Sequence, residues 1–400
     1  MHPLALVHAR VITPEAEIAD GTVVVAEGRI VQADERLPPD GVDALDLRGF
    51  TVAPGFIDLH VHGGGGFSLV DGNAAQAMPT GRQVSGYARW AATRGVTGFL
   101  ATLVPDARGR MLEAIDATIG ALDGVPEGAR PLGINLEGPF LNPARSGALQ
   151  PDFLRPPDVA EFREYASATR GRLRLMTLAP ELPGADAVIA EAVQAGVVVA
   201  LGHSDATYDE ARRAFGLGVR HVTHCFNAMR PWHHREPGCA GAALGSTDVT
   251  VELIADGVHV HPAAMAMLLR LKGVDRTVLV SDGIATAGLG DGGFDFQGER
   301  VEVKDGVARR KDGTLAGSTT PLDTMARNAF AWLDVNEAGA LRMATLNPAS
   351  VIGLADRKGR VAPGYDADLV VLSPDLQVEM TFVGGELVYE RSASRFRRST

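Results

Sequence analysis

The sequence predicts an α/β protein: a TIM (β/α)8 barrel with a small β-sandwich domain formed by both chain ends. Three observations predict it. Apolar, β-prone runs alternate with helical patterns rich in Ala, Glu and Arg from Val96 onward, which is the pattern of βα units around a parallel sheet. The two chain ends read instead as hairpins. Histidines and carboxylates fall where the barrel runs end, the rim on which barrel enzymes place their chemistry.

Taken in order, Gly21–Val31 is a hairpin pattern, matched near the other end by Ala367–Leu372 with Thr381–Tyr389. Residues 1–53 plus 356–400 are assigned to the small β domain and residues 54–355 to the barrel. The eight barrel strands are Gly55–His62, Val96–Thr102, Pro131–Glu137, Leu173–Leu178, Val197–Leu201, Arg220–His224, Thr250–Ala255 and Thr277–Asp282. A Gly-punctuated strand-like stretch from Phe294 to Gly313 reads as a β insertion near 291–316, after the eighth strand. No repeat beyond the βα alternation and no low-complexity segment is evident.

Composition bounds the function. The chain has 400 residues, 46% hydrophobic and 22% charged, enough for a deep core. A net charge of -11 and a pI near 5.5 leave no broad basic surface, so nucleic acid is not an expected partner. The one basic cluster, Arg391, Arg395, Arg397 and Arg398, reads as a solvated tail without function. Only Cys225 and Cys239 are present, which supports no disulfide framework and makes a reducing compartment the default. With no leader pattern and no apolar stretch long enough for a bilayer, the expectation is a cytoplasmic protein that does not engage a membrane.

The strongest functional signal is His60 with His62. Residues i and i+2 of a strand share a face, so both imidazoles can converge on one ion at the strand end. The run Gly63–Gly66 that follows lets backbone approach a ligand closely; the alternative is a flexible loop. Further strand ends supply Glu137 (third), His203 in Gly202-His-Ser204 (fifth), His224 (sixth) and Asp282 (eighth). Any one of them could be a satisfied core histidine, a helix cap or a turn. Six in register on five strand ends form the ligand set for a divalent ion such as Zn²⁺ or Fe²⁺. His221 and the polar-loop pair His233-His234 are set aside, as are His2 and His8.

At these residues the chain resembles the amidohydrolase superfamily and, within it, the N-acetylglucosamine-6-phosphate deacetylases, over nearly its whole length. The resemblance is carried by Pro54–Gly63, Leu136–Phe140, Leu201–Asp205, Thr223–Met229, Arg235–Gly238, Ala255–His259, Ser281–Gly283 and Gly364–Leu369. The first and last segments are general to the superfamily. Leu136-Glu-Gly-Pro139, Thr223–Met229 and Arg235–Gly238 are specific to the deacetylases.

The resemblance implies that Glu137, His203 and His224 hold one metal, with Glu137 standing where many relatives use a carboxylated lysine. Some members lack the first histidine pair and run on a single ion. This chain keeps His60 and His62, so one or two ions per subunit are implied. A metal lowers the pKa of bound water from 15.7 toward about 7. Asp282 is then the general base and acid, taking a proton from the attacking water and passing it to the leaving nitrogen. His259, in Asp256-Gly-Val-His259 beyond the seventh strand, is the candidate donor to the carbonyl oxygen; the alternative is a core histidine bonded to backbone.

An amino-sugar phosphate substrate needs donors away from the metal. Asn227, Ala228 and Arg235 are the candidates. The resemblance implies a homodimer in which one protomer completes its neighbour's phosphate site, with Arg235 acting across that boundary. Thr319 and Leu322, after Gly317-Ser318, resemble a substrate-loop segment; an ordinary helix N-terminus is the alternative. One departure stands out: where the family has a substrate-contacting histidine, this chain has Leu149, with Gln150 beside it as a candidate for the lost contact.

The leading functional expectation is hydrolysis of the acetamide of N-acetylglucosamine 6-phosphate. The second is a related deacetylase, acting on N-acetylgalactosamine 6-phosphate, or another amide hydrolase. The third is a silent scaffold, against which the complete ligand set argues.

Overall fold

The computed structural model describes residues 2–13, 16–70, 81–124, 127–296, 299–392 and 398–399. Eight strands form one parallel sheet in sequential order: β1 (Phe56–Val61), β2 (Val96–Leu103), β3 (Arg130–Glu137), β4 (Leu173–Leu178), β5 (Val198–Leu201), β6 (His221–Val222), β7 (Thr250–Leu253) and β8 (Thr277–Leu279). β1 and β2 are buried at every residue. A parallel sheet covered on both faces is what makes such strands read as continuous apolar runs.

The barrel closes past the regular ends of β1 and β8. Asp282 N donates to His60 O (2.9 Å), His62 N donates to Gly283 O (2.8 Å), and Val61 forms a parallel bridge with Gly283. Closure therefore runs through the backbone of the residues expected to carry chemistry. Strands six to eight are shorter than the sequence suggests: regular pairing stops at Val222, Leu253 and Leu279. The reason is local. His224 and Asp282, just past the sixth and eighth strands, have φ of 25° and 45°, so the chain leaves the ladder there, and His203 after the fifth strand has φ of 46°. Non-glycine residues held at positive φ cost of order 1–3 kcal/mol each and cluster at functional sites.

Both chain ends build a second sheet of nine strands, with Leu369–Leu372 antiparallel to Thr51–Pro54 and Leu4–Ile12 parallel to it. Alternation along Leu369–Leu372 divides two cores. Leu369 and Val371 face Leu6, Val25 and Phe382 in the small domain, while Val370 and Leu372 join the barrel core. Of the basic tail, Arg395 and Arg397 lie outside the described residues, and Arg391 approaches Glu379 at 3.8 Å.

After β8, Gly292–Phe296, Glu299–Lys304 and Val307–Arg309 form a three-stranded antiparallel sheet. Its Phe296, Val301, Val303 and Ala308 pack on Val70, Ile284 and Ala316, which sets the insertion over the barrel mouth. The Gly63–Gly66 run is neither a ligand cradle nor a free loop. A Cβ on Gly64 or Gly65 would fall 2.0 or 2.3 Å from the Trp90 ring, and Gly65 N and Gly66 N donate to Ala287 O and Ala285 O. These glycines let β1 turn flat against Trp90. Among the described residues, no helix is long and apolar enough to cross a membrane.

Candidate metal centre and active site

His60, His62, Glu137, His203 and His224 meet at the C-terminal mouth of the barrel, all at most 4% exposed. They form two overlapping groups, His60–His62–Glu137 and Glu137–His203–His224. Glu137 joins them. Its Oε1 is 3.0 Å from His203 Nε2, 3.1 Å from His224 Nε2 and 3.4 Å from His60 Nε2, and its Oε2 is 3.4 Å from His62 Nε2. Asp282 Oδ1 lies 3.3 Å from His62 Nε2 and 3.7 Å from His60 Nε2.

Outer partners fix how three of these rings are used. His62 Nδ1 donates to Thr102 O (3.2 Å), His203 Nδ1 to Arg145 O (2.9 Å) and His60 Nδ1 to Glu252 Oε2 (3.0 Å). An imidazole that donates from Nδ1 presents a lone pair at Nε2. Lone pairs of His60, His62 and His203 therefore point inward at Glu137, itself an acceptor. His203 Nε2 and His224 Nε2 sit 3.1 Å apart, and His60 Nε2 is buried without a hydrogen-bond partner among the described residues. Acceptors converging on acceptors are stable only around cations. Imidazoles and carboxylates at these separations, three of the four rings backed by an outer hydrogen bond, fit one or two divalent ions.

Protons can occupy the same point when no cation does, and the electrostatics describe that protonated state. Burial pushes the Glu137 carboxyl up, but the charge of a protonated His60 and hydrogen bonds from His203 and His224 outweigh it and hold Glu137 well below the usual carboxylate range. Burial likewise raises Asp282, and the His62 hydrogen bond with the charges of His60, His62 and His224 overcomes it, keeping Asp282 ionised. For His62, burial pulls the pKa down, yet Asp282 and Glu137 carry it up to about 9.

A cavity of about 340 Å³ opens from this cluster. His259, Asn227, Ala228 and Leu149 line it along with Asp282. His259 is not a core histidine bonded to backbone. Its Nδ1 pairs with Asp256 Oδ2 (2.7 Å), and the same oxygen accepts from Ser318 Oγ (2.9 Å). Burial lowers the His259 pKa, and the hydrogen bond and charge of Asp256 more than restore it, leaving it above the usual histidine value. Asn227 Nδ2 turns back to His224 O (3.3 Å), and Ala228, at φ 49°, sends its carbonyl to Ser204 N (3.2 Å). Leu149 is buried against Leu141 and Leu154, so the position has become part of a small apolar cluster.

Other expected substrate residues lie elsewhere in the single chain. Arg235 is exposed and lines a separate surface pocket with Arg230, His233 and Glu236. Thr319 donates through Oγ1 to Gly306 O, Leu322 is buried in the barrel core at the start of helix Leu322–Trp332, and Gln150 precedes a short 3-10 turn. None of the four lines the cavity. His221 is buried below the rim between Thr250 and Glu252, while His233 and His234 are exposed.

The structure adds residues that the strand-end reading leaves out: Glu252 behind His60, Asp256 behind His259, and Phe296 and Arg309, which the insertion brings to the cavity. Arg309 is the one Lys or Arg on its wall among the described residues, held by Nη1 donating to Gly313 O (2.7 Å). A carboxylate inside the apolar run Thr250–Ala255 is the sequence signal for Glu252. Arg309 carries none.

Comparison with known proteins agrees with this geometry. The chain is 33% identical over 384 residues to the N-acetylglucosamine-6-phosphate deacetylase of Bacillus subtilis (strain 168), covering 95% of each chain. It is 35% identical to the N-acetylgalactosamine-6-phosphate deacetylase of Escherichia coli O157:H7, covering 94% of this chain and 97% of that one. A solved mutant of N-acetyl-D-glucosamine-6-phosphate deacetylase from Mycobacterium smegmatis, in complex with N-acetyl-D-glucosamine-6-phosphate, superimposes with a TM-score of 0.89 at 36% identity, over 97% of this chain and all of that one. The Thermotoga maritima deacetylase gives 0.86 at 32% identity, over 96% and 99%. The profile of the amidohydrolase family matches residues 51–388, the whole barrel with the strands that flank it, and the chain belongs to that family.

Proposed function

We propose that this enzyme hydrolyses the acetamide of N-acetylglucosamine 6-phosphate to glucosamine 6-phosphate and acetate. The observation that carries the reading is the convergence of His203, His224 and Glu137 on one point, with ionised Asp282 on the same cavity wall. The relatives named for this reaction support the substrate. One or two divalent ions, zinc or iron, fit His60, His62, Glu137, His203 and His224; when bound, they supply an activated water and polarise the acetamide carbonyl.

The remaining steps belong to side chains. Asp282 is placed to take the water's proton and return it to the sugar nitrogen, so that a neutral amine leaves. His259, held by Asp256, donates to the substrate oxygen that gains charge. Asn227 and the backbone at Ala228 orient the sugar phosphate. We place Arg235 at the phosphate of the neighbouring protomer in a homodimer, consistent with its exposure and its absence from its own cavity. In the same chain, Arg309 is the nearer cation.

Acetate release from a substrate panel tests the reading. N-acetylglucosamine 6-phosphate should show the highest kcat/KM and plain N-acetylglucosamine a far lower one. Equal rates on the two would remove the phosphate from the argument. A preference for N-acetylgalactosamine 6-phosphate would move the enzyme to the second reading, the reaction for which the Escherichia coli relative is named.

Two substitutions separate the cations. A hydrogen bond to a charged group contributes about 1.5–3 kcal/mol, so Arg309→Ala should raise KM for the phosphorylated sugar roughly tenfold or more, with little change for the plain sugar. An equal change on both sugars would exclude a phosphate contact. For Arg235, mixing Arg235→Ala protomers with Asp282→Asn protomers should restore low-KM turnover, because each mixed dimer then holds one complete site. If mixing restores nothing, Arg235 does not cross between subunits.

A further inference from the structure

Glu252 is fully buried on β7, with no Lys or Arg among its described partners. It accepts three hydrogen bonds: His221 Nε2 at Oε1 (3.0 Å), and His60 Nδ1 (3.0 Å) and His224 N (2.9 Å) at Oε2. His221 is itself tied down, with Nδ1 2.6 Å from Thr250 Oγ1. The barrel interior thus holds a line of contacts from Thr250 through His221 and Glu252 to His60. An uncompensated carboxylate in such a place is strongly unfavourable, so the charge calls for a counterpart nearby.

The other imidazoles show what is particular about this one. His62 and His203 rest their Nδ1 on backbone carbonyls, which are neutral. His60 alone of the three rests on a carboxylate. That contact fixes the ring with its Nε2 lone pair toward Glu137 and Asp282. His60, with His62 and Glu137, forms a candidate group that shares only Glu137 with the group Glu137–His203–His224.

We infer that Glu252 is the positioning residue for a second divalent ion, acting through His60. The inference rests on the metal-dependent reading above only through the ion, so it is tested with metal alone. Chelator-stripped protein is titrated with Co²⁺ or Zn²⁺, with stoichiometry read by calorimetry and by the visible absorption of bound Co²⁺.

Wild-type protein should take two ions per chain. Glu252→Gln keeps the shape and removes the charge, and should weaken the second ion by about 10–100-fold while leaving the first unchanged. Glu252→Leu removes the acceptor as well and should leave one ion per chain. His60→Ala should match Glu252→Leu, and the double variant should lose no more. Two ions bound to Glu252→Gln with wild-type affinity would overturn the inference. So would a wild-type chain that takes only one ion, or a variant that weakens both ions equally. Failure of the sugar-phosphate reading would show differently, as a protein loaded with two ions that releases no acetate from the panel.

Discussion

Asp282→Asn is expected to lower kcat on N-acetylglucosamine 6-phosphate by roughly 10²–10⁴-fold, the usual contribution of a positioned acid–base group, with metal content nearly unchanged. The backbone at this position closes the barrel: Asp282 N donates to His60 O, and Asp282 O accepts from Ser318 N (2.8 Å). Asn tolerates the positive φ of 45° about as well as Asp, so those bonds survive the substitution. What changes is the carboxylate, which is ionised in the native site and able to accept a proton. Asn cannot accept or return one. Initial rates, together with metal per chain by elemental analysis, decide the matter. Turnover close to wild type would remove Asp282 from proton transfer, and loss of metal in step with activity would make it a ligand first.

The six ligand candidates and the barrel are legible in the sequence for one physical reason. A parallel strand buried on both faces is a continuous apolar run, so its end is sharply marked, and histidines and carboxylates recurring at several such ends point to one rim although each alone has an ordinary explanation. His60, Glu137, His203, His224 and Asp282 all stand at such ends. Glu252 is harder to read, because it lies inside a run, where the eye assigns it to the strand; its meaning depends on His60 and His221 across the barrel interior. Arg309 is harder still. Nothing local in Val307–Arg309 says that the insertion folds over the mouth, since that placement is made by Phe296, Val301 and Val303 packing on Val70 and Ile284. The Gly63–Gly66 run shows the converse: glycine signals close approach, but the sequence does not say whether a ligand or Trp90 comes near. The family resemblance supplies Arg235, which the single chain leaves on its own surface.

Glu137→Gln should have the widest effect of all, abolishing both metal binding and turnover. This side chain is the only member common to the two candidate groups. Its oxygens reach four imidazole nitrogens between 3.0 and 3.4 Å. Gln matches the shape but offers one carbonyl oxygen without charge, and its amide N–H groups would turn toward imidazole lone pairs and occupy the point where an ion belongs. An ion that activates water and polarises a carbonyl supplies several kcal/mol to the transition state, so the loss in kcat/KM should be on the order of 10³-fold or more. Thermal unfolding gives a check independent of turnover. A ligand that binds only the folded state at about 100 times its Kd stabilises it by about 2.7 kcal/mol. Added Zn²⁺ should therefore raise the Tm of the stripped wild-type protein and of Asp282→Asn, and leave that of Glu137→Gln unmoved. A Glu137→Gln protein that keeps both its Zn²⁺-dependent Tm rise and its bound metal would show that the histidines hold the ion without this carboxylate, and Glu137 would then lose its place at the centre of the site.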